Sequence, residues 1–165
     1  MIRPRREDDL ERCVALLRRV YEFDRYPAIW PLDTVGWLAG RDALAAWVAE
    51  EDERLLGHLS LHVTDDSRAR PEWSAALGVG VDRLAVVSRF FVSVEARGHG
   101  IGGALIDRAQ RHAAGQRLRL VLDVAAHNRG AIAFYERRGW RRVGTTKLAL
   151  SAEPWSLPLV LFVLP

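Results

Sequence analysis

The sequence predicts an α/β (α+β) chain, a mixed and mostly antiparallel sheet with helices on its faces. Strand-length apolar runs recur at LLGHLSLHV (55–63), RLAVVSRFFVSV (83–94), RLRLVLDV (117–124) and SLPLVLFVL (156–164). Segments with helical spacing stand between them, such as Leu10, Val14, Leu17 and Val20. The first half also contains a hairpin, whereas strands and helices interleave in the second. The sheet therefore needs both antiparallel and parallel neighbours.

Taken in order, IRPR is a short first strand. Asp8 or Asp9 caps a helix that runs to about Tyr21. EFDRYPAIWPLD is an aromatic, proline-containing loop that leads into a short helix around 33–39. LAAWVAEE, the turn EDER and LLGHLSLHV form a hairpin. Its second strand reads as half-buried, with Leu59, Leu61 and Val63 facing in and Ser60 and His62 facing out. TDDSRARPEWSAALGVG (64–80) reads as a polar excursion over the surface. A long central strand follows, then a glycine loop and a helix through IGGALIDRAQRHAA that stops at Gly115. RLRLVLDV is a strand, NRGAIAFYERR is a helix closed by Gly139, and WRRVGTTKLAL and SLPLVLFVL are the last two strands.

A chain of 165 residues with 49% hydrophobic and 27% charged residues is read as one domain, 1–165. The charged start MIRPRREDDLERC is no secretory core, and LPLVLFVLP is about half the length of a membrane helix. The expected location is the cytoplasm, with no membrane association. Cys13 is the sole cysteine and sits on an apolar helix face, which makes it an inert core residue and excludes a cysteine metal cluster. The net charge is +3, carried almost wholly by arginines that alternate with acids. Without a basic arm or an RNP-type motif, nucleic acid is not expected as the ligand.

EARGHGIGGAL (95–105) carries glycines at 98, 100, 102 and 103, dense enough for backbone amides to approach a phosphate. From Gly98 it fits the dinucleotide fingerprint G-x-G-x-x-G, and Asp123, 20 residues past Gly103, stands where a ribose-binding acid belongs. Three observations oppose that reading. Glu95, Ala96 and Arg97 separate the strand from the glycines, the motif follows a hairpin, and too few strand–helix units remain. From Arg97 the same letters fit R-x-x-G-x-G.

FVSVEARGHGIGGALI together with NRGAIAFYERRGW resembles the GNAT superfamily of acyl-CoA-dependent N-acyltransferases. The shared pattern is an apolar strand, R-x-x-G-x-G, a helix, a strand, then N-x-x-A-x-x-[FLY]-Y-E-x-x-G-[FW]; it is densest over 84–143. The resemblance implies a GNAT fold, a roughly seven-stranded sheet with a central splayed parallel pair. It implies acetyl-CoA as acyl donor with no metal, and an N-acetyltransferase working by direct attack in a ternary complex. Arg97, Gly98, His99, Gly100, Ile101, Gly102 and Gly103 would hold the pyrophosphate. Phe91, Val92 and Val94 on the splayed strand, with Asn128, would hold the pantetheine arm. Tyr135 would protonate the departing thiolate. The glutamate that many members carry on the central strand is missing from LAVVSRFF. Asp123, five residues before Asn128, is the favoured base, with a water relay through Glu72, Asp82, His58 or His62 as the other route.

In the resembled fold the acceptor lies between the first helix loop and the last two strands. Those segments carry Tyr21, Asp24, Tyr26, Trp30, Glu153 and Trp155, aromatics and acids suited to a cationic amine. Trp73 and Glu72 would serve as a lid. The acceptor would be a small-molecule or peptide amine, and the apolar last strand is compatible with a homodimer. A non-catalytic acyl-CoA sensor is the alternative; it would keep Arg97 to Gly103 and Asn128 but not need Tyr135.

Overall fold

The computed structural model describes residues 1–63, 69–149 and 156–165. Seven strands make one mixed sheet: β1 (Ile2–Pro4), β2 (Ala43–Glu51), β3 (Arg54–His62), β4 (Leu84–Val92), β5 (Arg119–Ala125), β6 (Arg141–Ala149) and β7 (Ser156–Val163). They are ordered β1-β2-β3-β4-β5-β7-β6. The helices are α1 (Leu10–Asp24), α2 (Thr34–Ala39), α3 (Arg70–Leu77), α4 (Ile101–Gly115) and α5 (Arg129–Arg137). β4 and β5 are parallel, with Leu84, Ala85 and Val86 opposite Arg119, Leu120 and Val121. β1–β2, β2–β3, β5–β7 and β6–β7 are antiparallel. A dinucleotide-binding sheet would be mostly parallel, and this one is not.

The chain forms two compact units, Met1–His62 with Val87–His112, and Val63–Val86 with Ala113–Pro165. In the first, Cys13, Leu17 and Val20 of α1 and Leu38 of α2 pack with Val48 and Phe91. The adjacent residue Trp47 meets α4 instead, with its ring centroid 5.1 Å from that of His112 and Arg108 stacked over it. Successive strand residues point to opposite faces, so helices cover both faces of this part of the sheet. This corrects the half-buried reading of β3. Ser60 is as fully buried as Leu59 and Leu61, because the face expected to be wet lies under protein. Cys13 is buried, and desolvation pushes its thiol up to about 12, in keeping with an inert core residue.

Asp9 does not cap α1. It ends a 3₁₀ turn (Glu7–Asp9), accepts the Arg6 amide at 2.7 Å and pairs with Arg3. Arg3 also reaches Glu50 at 2.6 Å, tying β1 to β2. α1 runs to Asp24, past the expected end, and closes on Arg25 in the left-handed region at φ 57°.

In the second unit, Trp73 of α3 is fully buried with Leu84, Val121, Leu161 and Val163. Phe162, between the last two on β7, points the other way and meets Tyr135 of α5 at 5.8 Å. α3 overturns the surface-excursion reading of 64–80 where the structure describes it. Pro71 in its first turn and Gly78 just past its end, at φ 64°, are helix punctuation rather than loop signals. Trp73 is therefore a core residue and not a lid.

The Arg3 hydrogen bond holds the Asp9 carboxyl down from 3.8 to about 2. A depressed acid contributes fully above its unfolded pKa, and the contribution fades as pH falls through the folded one. Unfolding titrations should show stability declining from about pH 4 towards pH 2. Asp9→Asn should flatten that decline and lower stability at pH 7, since it leaves Arg3 with one carboxylate.

Candidate functional site

After β4 ends at Val92, a 3₁₀ turn (Val94–Ala96) and a turn at 97–100 lead into α4 at Ile101. Gly98 and Gly100 have φ of 79° and 82°, a region that glycine enters without strain. A Cβ on either would meet nothing within 4 Å, so the loop presents open space. The first bond into the helix runs from the Ala104 amide to the Gly100 carbonyl at 2.9 Å. The amides of Ile101, Gly102 and Gly103 stand ahead of it, where a helix supplies no internal acceptor and its dipole favours an anion. The ring of His99 folds back onto the Arg97 carbonyl at 2.9 Å.

Arg97 is already engaged. Its guanidinium grips both carboxylate oxygens of Asp24, at 3.2 Å from Nη1, and donates to the Val92 carbonyl at 3.4 Å. It also stacks over Phe23. Asp24, expected to face an acceptor, is thus bound to an expected pyrophosphate residue. Tyr21 and Trp30 meet edge to face at 5.1 Å, and Tyr26 lies 6.4 Å from Phe91. The first unit therefore brings the aromatic loop to the end of β4. Val94 is half-buried beside it. Glu153 and Trp155 lie outside the described residues.

In the second unit, Asn128 caps α5 by accepting the Ala131 amide at 3.1 Å. Tyr135, two turns on, is 6% exposed and rings Trp140 at 5.5 Å. Asp123 on β5 is open to solvent and makes no side-chain hydrogen bond or ion pair among the described residues. Protein mass crowded around its carboxyl raises its pKa by desolvation. His58 is buried, and desolvation pushes its pKa down to about 3, which favours the neutral ring. His62 is likewise lowered, to about 4.

Arg89 lies outside every motif the sequence carries. It stands inside β4 with φ 47°, unusual for a residue with a side chain. An arginine among LAVVSRFF, with two histidines on the neighbouring strand, was the available signal. A surface depression of about 730 Å3 is lined in part by Arg3, Asp9, Arg12 and Glu50. These charges already neutralise one another, so it is a solvated ion-pair surface.

A family model described as acetyltransferase (GNAT) family matches residues 10–140. The chain belongs to the GNAT family. A curated relative, an uncharacterised N-acetyltransferase of Methanocaldococcus jannaschii, is 30% identical over 146 residues, which is 86% of this chain. The chain spans 60% of that relative's length. Among solved structures, an N-acetyltransferase from Staphylococcus aureus Mu50 superposes at TM-score 0.73 with 20% identity, over 99% of this chain and 96% of that one. The ribosomal-protein-alanine N-acetyltransferase of Brucella melitensis gives 0.73 with 23% identity, covering 99% and 98%. Arabidopsis thaliana NAA60 in complex with acetyl-CoA gives 0.73 with 23%, covering 99% and 96%. These establish the GNAT fold. Among the described residues no helix is long and apolar enough to cross a membrane.

The Arg97–Asp24 pair is partly exposed, 38% and 30% by side chain. A double-mutant cycle of Arg97→Ala and Asp24→Ala should give a coupling of about 0.2–1 kcal/mol that shrinks in high salt. Strict additivity of the two losses would mean the pair is not formed in solution.

Proposed function

We propose that the chain is an N-acetyltransferase that moves the acetyl group of acetyl-CoA to an amine by direct attack. The observation that carries this reading is the R-x-x-G-x-G loop at the start of α4. Its two left-handed glycines face open space, in a chain of the GNAT family. The family match draws residues from both compact units, and we read them as one acetyltransferase domain. The relatives' names support the donor and the reaction class; one was solved with acetyl-CoA.

In this reading the amides from Gly98 to Gly103 receive the pyrophosphate, and Arg97 exchanges Asp24 for it in whole or part. Phe91, Val92, Val94 and Asn128 line the pantetheine arm, which pairs with backbone as an added strand. The amine nitrogen attacks the thioester carbon, forming the C–N bond as the C–S bond breaks. Asp123 takes the amine proton; a raised pKa brings a carboxylate nearer the strength a general base needs. Tyr135 gives its phenolic proton to the departing thiolate. Amides near Phe91 and Val92 stabilise the charge that develops on the carbonyl oxygen. The burial of Tyr135, and the lack of a carboxylate on β4, are what favour the second reading, a sensor that binds acyl-CoA without turnover.

Thermal unfolding with acetyl-CoA, desulfo-CoA and NADH separates these. Both CoA compounds at about a hundred times Kd should raise Tm by roughly 5–10 °C, and NADH should not. Thiol release with an amine panel then tests transfer, and stabilisation without any release favours the sensor. Asp123→Asn should keep the CoA stabilisation and lower kcat by about 10²–10⁴. The wild-type rate should rise with pH through a carboxyl pKa above the ordinary range, the base being active only once deprotonated. That acid limb should vanish in the variant; its persistence would remove Asp123 as the base.

A further inference from the structure

Four cationic or potentially cationic side chains meet in the first unit: Arg5, His58, His62 and Arg89. Arg5 spends its donors on structure, reaching the carbonyls of Leu38 and of Ala39 (3.1 Å) and the Nε2 atom of His58 (3.2 Å). Arg89 does not. Its Nη1 lies against both ring nitrogens of His62, Nδ1 at 3.0 Å and Nε2, and its guanidinium lies over Trp37 at 5.1 Å. Nε is buried with no partner. Nη2 makes no hydrogen bond among the described residues and is not among the buried unpartnered atoms, so it is not fully covered, in a residue that is half-buried. Neither guanidinium has an ion-pair partner among the described residues, whereas Arg3, Arg12 and Arg97 each hold a carboxylate. Asp42 biases Arg89 electrostatically from beyond ion-pair distance, as does Tyr26.

The two idle donors of Arg89, Nε–H and one N–H of Nη2, lie parallel along one edge of the guanidinium. That edge has the fork geometry of a carboxylate's two oxygens; Nη2 is its reachable donor, and Nε, buried here, joins only once the side chain shifts to uncover it. The other features of the group hold it in place for this. Trp37 stacks its face, His62 fixes Nη1, and Gly40 leaves the room: a Cβ there would stand 2.6 Å from the His62 ring and 2.8 Å from Nη1. Arg89 is two residues before Phe91, which Tyr26 of the aromatic loop also meets. Asp24, the acid expected to hold a cationic acceptor, is taken by Arg97.

We propose that Arg89 is the anchor for the carboxylate of the acceptor, an amine of the amino-acid class that carries its own acid group. This rests on the acetyl-transfer reading above. It reverses the charge expected of the acceptor pocket, which presents a cation to the substrate, with aromatic walls from Tyr26 and Trp37.

The test compares α-amino acids with their own amides in the thiol-release assay. Wild type should favour the acid by tenfold or more in kcat/KM. Arg89→Gln should lower the acid-to-amide ratio by about 10–100-fold, and Arg89→Lys should restore part of it. Equal use of acid and amide by wild type, or an unchanged ratio in Arg89→Gln, would overturn the proposal while leaving acetyl transfer intact. If no amine is turned over, the transfer reading fails, and calorimetry with N-acetylglycine and N-acetylglycinamide decides the site alone. Binding of the acid only, weakened at least tenfold by Arg89→Gln, upholds a carboxylate site; equal binding, or none, removes it. Melting curves of both variants report whether they fold.

Discussion

A buried hydrogen-bond chain organises the first unit. Arg5, just past β1, can only donate, so the His58 nitrogen facing it must accept. The other ring nitrogen then carries the proton and donates to the Arg89 carbonyl at 2.7 Å. One chain thereby links the segment after β1, the end of α2, β3 and β4. It fixes a single neutral tautomer, in keeping with the depressed pKa of His58. The His58 ring also stacks on Phe91 at 5.2 Å. The carbonyl it holds belongs to the residue with φ 47°, so the strained point of β4 is tied down by a bond that cannot be traded for water. The end of β4 and the turn into the glycine loop follow from that anchorage.

Most elements were legible because their signals are local. The glycine loop, the Asn128 cap and the strand and helix order all follow from residue type and spacing. β3 was misread for a reason that is not local. Period-2 patterning says which residues share a face, but not whether the polar face is wet. Helices on both faces bury Ser60 and His58 as completely as Leu59, and polar residues remain there because each finds a partner. α3 was missed because polar residues and a proline hid one dominant burial, that of Trp73. Three of its neighbours come from strands far along the chain.

The backbone of the proposed donor loop was legible. Gly98 and Gly100 hold the conformations that their density in EARGHGIGGAL implied. The partners of the proposed acceptor-side residues were not, because they are remote in sequence. Asp24 and Arg97 are 73 residues apart, and Arg5 and His58 are 53 apart. No spacing rule connects them. Only the fold turns Asp24 from a free acid into the partner of a loop arginine.

The same unit contains two arginine clusters with opposite accounts of charge. Arg3 and Arg12 are answered by Asp9 and Glu50, and their hydrogen bonds are short and reciprocal. Such a network is complete and has nothing left to offer a ligand. Arg5 and Arg89 are desolvated enough to lower their pKa values, with no carboxylate in ion-pair contact among the described residues. An arginine stays protonated under these conditions, so the electrostatic cost persists in the folded chain. Arg5 offsets it with two carbonyls and a histidine. Arg89 leaves an edge unanswered, and its backbone is strained as well. Local cost without local compensation is what a binding residue looks like before its ligand arrives. An incoming anion would supply the missing acceptors and the missing charge together. That coincidence distinguishes Arg89 from every other described arginine in the first unit that the structure shows gripping a carboxylate.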